Sequence, residues 1–146
     1  MSDICYQEIE RKKRSLKRYR KNLACITRLE ERLENLNDRI EGLRSPSLSG
    51  MPRGGVPVMS ADLIADKADL EKRIERLKAK SRDLKSAVYE EIDSLEDSRY
   101  CEILEARFID GQTFEDIAEE MGYTERHIYT LYREALNLLV VTDVSV

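Results

Sequence analysis

The sequence has no tryptophan, two phenylalanines, one histidine and three prolines in 146 residues. Aromatics make up 6% of it, and the excess over an ordinary composition falls on Glu, Lys, Arg and Leu, which favour long solvated helices. A single histidine excludes a zinc site built on paired histidines. Cys5, Cys25 and Cys101 are far apart and form no C-x-x-C pair. They exclude a disulfide framework and a Cys-rich metal centre, and they fit a reducing compartment as small, half-buried thiols. No apolar run approaches the roughly 20 residues of a membrane span, so no membrane association is expected. Met1 to Arg20 lacks the apolar stretch of a secretory signal. Glycine-rich phosphate loops are missing too, because Gly50, Gly54 and Gly55 stand among prolines with no strand before them. No cofactor and no catalysis are expected: the carboxylates, Asp62, Asp66 and Asp69 among them, sit on solvated helix faces without a partner histidine.

What the sequence does have is charge. Lys, Arg, Asp and Glu make up 37% of it, against about 25% in ordinary domains. The formal net charge of -4 is unevenly spread. Residues 1–44 hold 12 basic and 8 acidic groups, and residues 45–60 hold Arg53 alone. Residues 61–98 hold 8 basic and 11 acidic groups, and residues 99–146 hold 4 basic and 10 acidic. Such a gradient means that segments of the chain do different jobs or neutralise one another.

Two long heptad patterns precede residue 97. Leu16, Tyr19, Leu23 and Ile26, then Leu29, Leu33, Leu36, Ile40 and Leu43, recur at steps of 3 and 4 and predict a helix of about 40 residues. A second helix is predicted from about Asp62 to Leu95, with Ser60 as its N-cap. Its seam runs Leu63, Lys67, Leu70, Ile74, Leu77, Ser81, Leu84, Val88, Glu91 and Leu95. Between the helices, residues 45–60 carry all three prolines and read as a partly packed linker. Folded back at that linker, residue i faces about residue 105-i. The basic stretch Arg11, Lys12, Lys13, Arg14, Lys17, Arg18, Arg20 and Lys21, which holds no acid, then meets Glu90, Glu91 and Asp93. A parallel homodimer would instead set like charges side by side. The expected architecture is therefore all-α: an antiparallel, coiled-coil-like hairpin over residues 1–97, a separate domain over 98–140, and a frayed tail over 141–146.

The segment 98–140 has shorter periods. Tyr100, Leu104 and Phe108 mark one helix, which stops at Asp110-Gly111. Thr113 caps the next, whose stripe is Phe114, Ile117, Ala118 and Met121. Gly122 fits a left-handed helix end, and Thr124 caps a third helix with Ile128, Leu131, Ala135 and Leu138 inward. Two short helices joined by a glycine-containing turn form a helix-turn-helix. On the outer face of the last helix stand Arg126, Thr130, Arg133 and Asn137, with Tyr129 beside them and His127 at the flank. Arg pairs with guanine, Asn with adenine, and Thr or Tyr with methyl groups or phosphates.

These residues carry a resemblance. The run Ile103 to Ala118, continued through Arg133-Glu134-Ala135-Leu136, resembles region four of bacterial sigma factors, which reads the -35 promoter element. Together with the linker Ser49-Gly50-Met51-Pro52-Arg53-Gly54-Gly55, the chain is similar to phage and prophage late-gene transcriptional activators of the RinA and ArpU type. The resemblance implies a regulator of transcription in the cytoplasm of a bacterial host. It makes Arg126, Thr130 and Arg133 base or phosphate contacts and sets Thr113 near the DNA backbone. Thr124, His127, Tyr129 and Asn137 complete the expected DNA-facing set.

Double-stranded DNA is thus the expected partner, with host RNA polymerase and a second copy of the chain as further candidates. One departure counts against DNA binding by the last domain alone: only four basic groups stand among residues 99–146. The stretch Arg11 to Lys21 is therefore a candidate for secondary phosphate contacts. Two alternatives use the same features. One is a module that binds RNA polymerase without reading DNA. The other is a DNA-packaging protein resembling a small terminase.

Overall fold

The computed structural model describes the backbone at residues 2–44 and 57–141 and the side chains at 5–43 and 61–141. Five helices account for it: α1 Ser2–Arg44, α2 Pro57–Asp93, α3 Ser98–Phe108, α4 Phe114–Met121 and α5 Glu125–Leu138. No strand occurs among the described residues. The fold is all-α, with long helices first and a helix-turn-helix last. The expected linker over 45–60 falls largely outside the described residues, as do the last five residues of the expected tail. Within 57–60 the expectation is corrected: α2 starts at Pro57, so Ser60 lies inside the helix and is not its cap. Proline at the first helical position costs nothing there, since its missing amide would have no partner anyway.

The chain divides into two compact units, Leu23–Lys80 and Met1–Asn22 with Ser81–Val146. In the first, α1 and α2 run antiparallel. Ile26, Leu29, Leu36 and Ile40 of α1 are buried with Leu70 and Ile74 of α2. Lys78 pairs with Glu30 at 3.3 Å, close to the expected register. Both partners are nearly half exposed, so the pair contributes little and the aliphatic seam holds the helices. Leu43, expected on that seam, is 47% exposed.

In the second unit, the near ends of α1 and α2 are again antiparallel and share one core with α3, α4 and α5. Leu16, Val88 and Ile92 are fully buried together with Ile103, Leu104, Ile117, Ile128 and Leu136. The expected boundary at residue 97 therefore runs through a core and does not separate two. The reason is the width of α5's apolar face. Tyr132 and Leu136 are buried beside Ile128, Leu131 and Ala135, although the sequence stripe left them out. Helices α3 and α4 cover one flank of α5, and α1 covers the other.

Polar contacts fix that cover. Lys12, only 8% exposed, donates to the carbonyl oxygens of Leu136 at 2.8 Å and Asn137 at 3.1 Å, at the end of α5. Its ammonium meets the negative end of the helix dipole there. Burial lowers the Lys12 pKa, with Glu8 working in the opposite direction. Glu91, 2% exposed, accepts from the Ser15 hydroxyl at 2.9 and 3.2 Å and from Arg18 at 3.3 Å. The expected meeting of the basic stretch with α2 acids is thus realised between Arg18 and Glu91.

A test follows from the shared core. Leu16→Ala removes a side chain that belongs to α1 yet lines the helix-turn-helix core, and it should destabilise that unit by about 2–5 kcal/mol. Hydrogen exchange should accelerate at amides of α3 and α5. Unaltered exchange in those helices would mean that they fold independently of α1.

Candidate nucleic-acid interface

Each helix of the 98–138 segment begins with a side-chain cap. Asp97 accepts from the Arg99 amide at 2.9 Å, Thr113 from Asp116 at 3.1 Å and Thr124 from His127 at 3.1 Å. Such caps satisfy amides that the first helical turn leaves without partners. Gly122 ends α4 with φ 74°, a left-handed conformation that glycine adopts without steric cost. The Tyr123 amide then donates to Ala118 at 3.0 Å, closing the turn between α4 and α5. Ala118, on the inward stripe of α4, is buried in the shared core. The caps and the glycine set the angle at which α5 leaves α4, and so set which side of α5 faces outward.

Arg126, Thr130, Arg133 and Asn137 are all exposed on that side. At 100° per residue they fall within an arc of about 60°. Arg126 and Arg133 make no ion pair among the described residues. The Thr130 hydroxyl donates to the Arg126 carbonyl at 3.1 Å, which leaves its methyl group and an oxygen lone pair for a partner. Tyr129, 42% exposed, rests its ring on Phe114 at 4.5 Å. His127 is exposed and edges against Tyr123 at 4.8 Å. Thr113 and Thr124 are exposed, with their side-chain oxygens committed to the caps. Leu138, expected inward, is 61% exposed; Leu139 takes the core position because the chain turns extended there.

Sequence reasoning missed three supporting residues. Arg107 places its guanidinium 4.5 Å over the Phe114 ring and donates to the Gln112 carbonyl at 3.0 Å. It braces the turn that leads into α4. Tyr132 packs against Phe108 and Phe114. Tyr100 donates to Glu134 at 2.7 Å, holding that carboxylate on the flank of α5, and this bond raises the Tyr100 pKa. None of these roles stands out in a sequence, because each acts through a ring, a carbonyl or a carboxylate that only the fold brings near.

The basic stretch on α1 is divided by the fold. Lys12 is buried under α5 and is withdrawn from phosphate contact. Arg11 pairs with Glu8 at 2.6 Å, and Lys13 with Glu10 at 3.4 Å. Arg18 is tied to Glu91. Arg14, Lys17, Arg20 and Lys21 remain exposed.

A capped, three-helix arrangement with a glycine turn and an outward polar face on its last helix is a helix-turn-helix. Residues 97–139 match the family described as Sigma-70, region 4. The match spans α3, α4 and α5 together with the Asp97 cap. It makes this segment a sigma region 4-like domain, and it supports a DNA-binding, transcription-regulator-like function. Comparison with curated proteins and with solved structures gave no match. Among the described residues, no helix is long and apolar enough to cross a membrane, and no group of His, Cys, Asp and Glu is placed to hold a metal ion.

Tyr132 offers a check on how the domain supports α5. Burial pushes its pKa up to about 12 from an ordinary 10. The unfolded chain therefore ionises first, and the stability due to neutral Tyr132 is intact below pH 10 and lost as pH rises toward 12. Tyr132→Phe should remove this part of the decline, on the order of 2 kcal/mol across that window. Urea unfolding of both proteins at pH 9 and pH 11.5 measures it. An equal decline in both would show that Tyr132 is not buried as described.

Proposed function

We propose that this chain is a sequence-specific DNA-binding regulator of transcription, that it activates phage genes, and that it works in the cytoplasm of a bacterial host. The carrying observation is the exposed set Arg126, Thr130, Arg133 and Asn137 on the last helix of a sigma region 4-like domain. In a helix-turn-helix that helix lies in the major groove, while the helix before it crosses the backbone. Arg126 and Arg133 then reach guanine edges or flanking phosphates, Asn137 an adenine, and the Thr130 methyl a thymine. Tyr129, His127 and the capped ends at Thr113 and Thr124 face the backbone. The chain acts by binding, without catalysis and without a cofactor. The phage setting is supported by the resemblance of the Ser49–Gly55 linker and the flanking helices to late-gene activators.

Host RNA polymerase and a second copy of the chain fit this role as further partners. A second reading, a polymerase-binding module that does not read DNA, is favoured by one observation. Glu115, Asp116, Glu119 and Glu120 are all exposed on α4 and form an acidic ridge suited to a basic surface.

Gel shifts against fragments of the phage's own late promoter region test the first reading. Each good bidentate base contact is worth about 1–3 kcal/mol, so Arg126→Ala with Arg133→Ala should abolish the specific shift. Unchanged specific binding would overturn the assignment of α5 as the reading helix. Capture of polymerase from nuclease-treated lysate, equal in wild type and double variant, would favour the second reading.

A further inference from the structure

We infer that α1 supplies the second half of the DNA interface: its outward cationic face grips the phosphate backbone of the duplex whose groove α5 enters. This rests on the proposed reading by α5 and adds to it a sequence-independent contact surface on a different helix. The observation is a surface groove of about 480 Å³ lined by Arg14, Lys17, Arg18, Arg20 and Lys21, with no acid among the described residues of its wall. Arg18 is shared with Glu91, while Arg14, Lys17, Arg20 and Lys21 make no ion pair among the described residues. Arg14, Lys17 and Lys21 follow at helical steps of 3 and 4 and so share one face. At 1.5 Å per residue they span about 10 Å. A DNA strand presents one phosphate per 3.4 Å of axis, so that length covers about three of them.

Position decides between DNA and an acidic protein surface as the occupant. The Arg20 guanidinium lies against Gly111 and donates to the Ile109 carbonyl at 3.4 Å, in the turn between α3 and α4. Thr113, the N-cap of α4, is two residues further on. The α4 N-terminus carries the positive end of its helix dipole, and in a helix-turn-helix this helix crosses the phosphate backbone. The cations of α1 therefore extend a surface that already attracts phosphate. Lys13, which sits 6.0 Å from the Tyr132 ring of α5, fixes the same helix beside the reading helix. The charge that the acidic helix-turn-helix lacks is supplied in this way from residues far away in sequence.

The test uses the full chain and a mixed-sequence 30-base-pair duplex, with binding followed by fluorescence anisotropy between 50 and 200 mM salt. The variant is Arg14→Ala, Lys17→Ala and Lys21→Ala together; Arg20 is kept because it touches the α3–α4 turn. Circular dichroism establishes that the variant is folded. Three lost phosphate contacts should lower the slope of log affinity against log salt by about 2.7. Affinity should fall for every duplex alike, so preference for one sequence over another should persist. A folded variant with the wild-type slope overturns this inference and leaves reading by α5 standing. A reduced slope in a protein that prefers no sequence upholds the inference and overturns specific reading. Failure of the wild type to bind duplex overturns both. An octaglutamate peptide titrated in place of DNA is expected not to bind; if it binds and the variant loses only the peptide, the groove serves an acidic protein instead.

Discussion

A lysine ammonium buried at the end of the last helix is the constraint on which the arrangement depends. Lys12 is 8% exposed, and a buried cation is tolerated only where donors and charge are satisfied. Here two carbonyls that end α5 accept from it, and the negative pole of that helix faces it. The contact joins residues 124 positions apart and lays α1 across the side of α5 that α3 and α4 leave open. Leu16, one turn further along α1, then enters the helix-turn-helix core. The same placement turns Arg14, Lys17 and Lys21 away from that core and into solvent. In this unit the Lys12 contact and the apolar face of α5 together set what α1 buries and what it offers to a partner.

This resolves how a protein of net charge -4 with an acidic last segment can serve as a DNA binder on the proposed reading. Charge matters locally. Asp97, Glu115 and Asp116 stand at helix starts, where the dipole favours them. Glu134 is held to the flank of α5 by Tyr100, and Glu91 is buried against Ser15 and Arg18. Arg126 and Arg133 stand on the outer face of α5, and Arg14, Lys17, Arg20 and Lys21 stand exposed on α1.

Most of the local structure was legible in the sequence. Thr113, Gly122 and Thr124 announced two helix ends and a turn, because capping chemistry depends on neighbours a few residues away. The heptads carried the antiparallel register, since Glu30 and Lys78 meet close to where the folded-back numbering puts them. The exposed set on α5 followed from helical projection alone. What escaped was long-range. Tyr132 and Leu136 looked dispensable to the core because the stripe was drawn for a three-helix domain standing by itself. Lys12 looked like one more surface cation because nothing near it in sequence marks the α5 terminus as its partner. Pro57 was read as linker, although proline is well suited to a helix's first turn.

The central claim is that the outer face of α5 lies against DNA. A photo-crosslinking residue at position 130, with a control at the exposed Glu102 position on α3, tests this most directly when the 146-residue chain is irradiated with a library of duplex fragments. The account predicts crosslinks to DNA from position 130, enriched at one sequence, and few from position 102. Crosslinks from position 130 to protein alone, or equal DNA crosslinking from both positions, would contradict it.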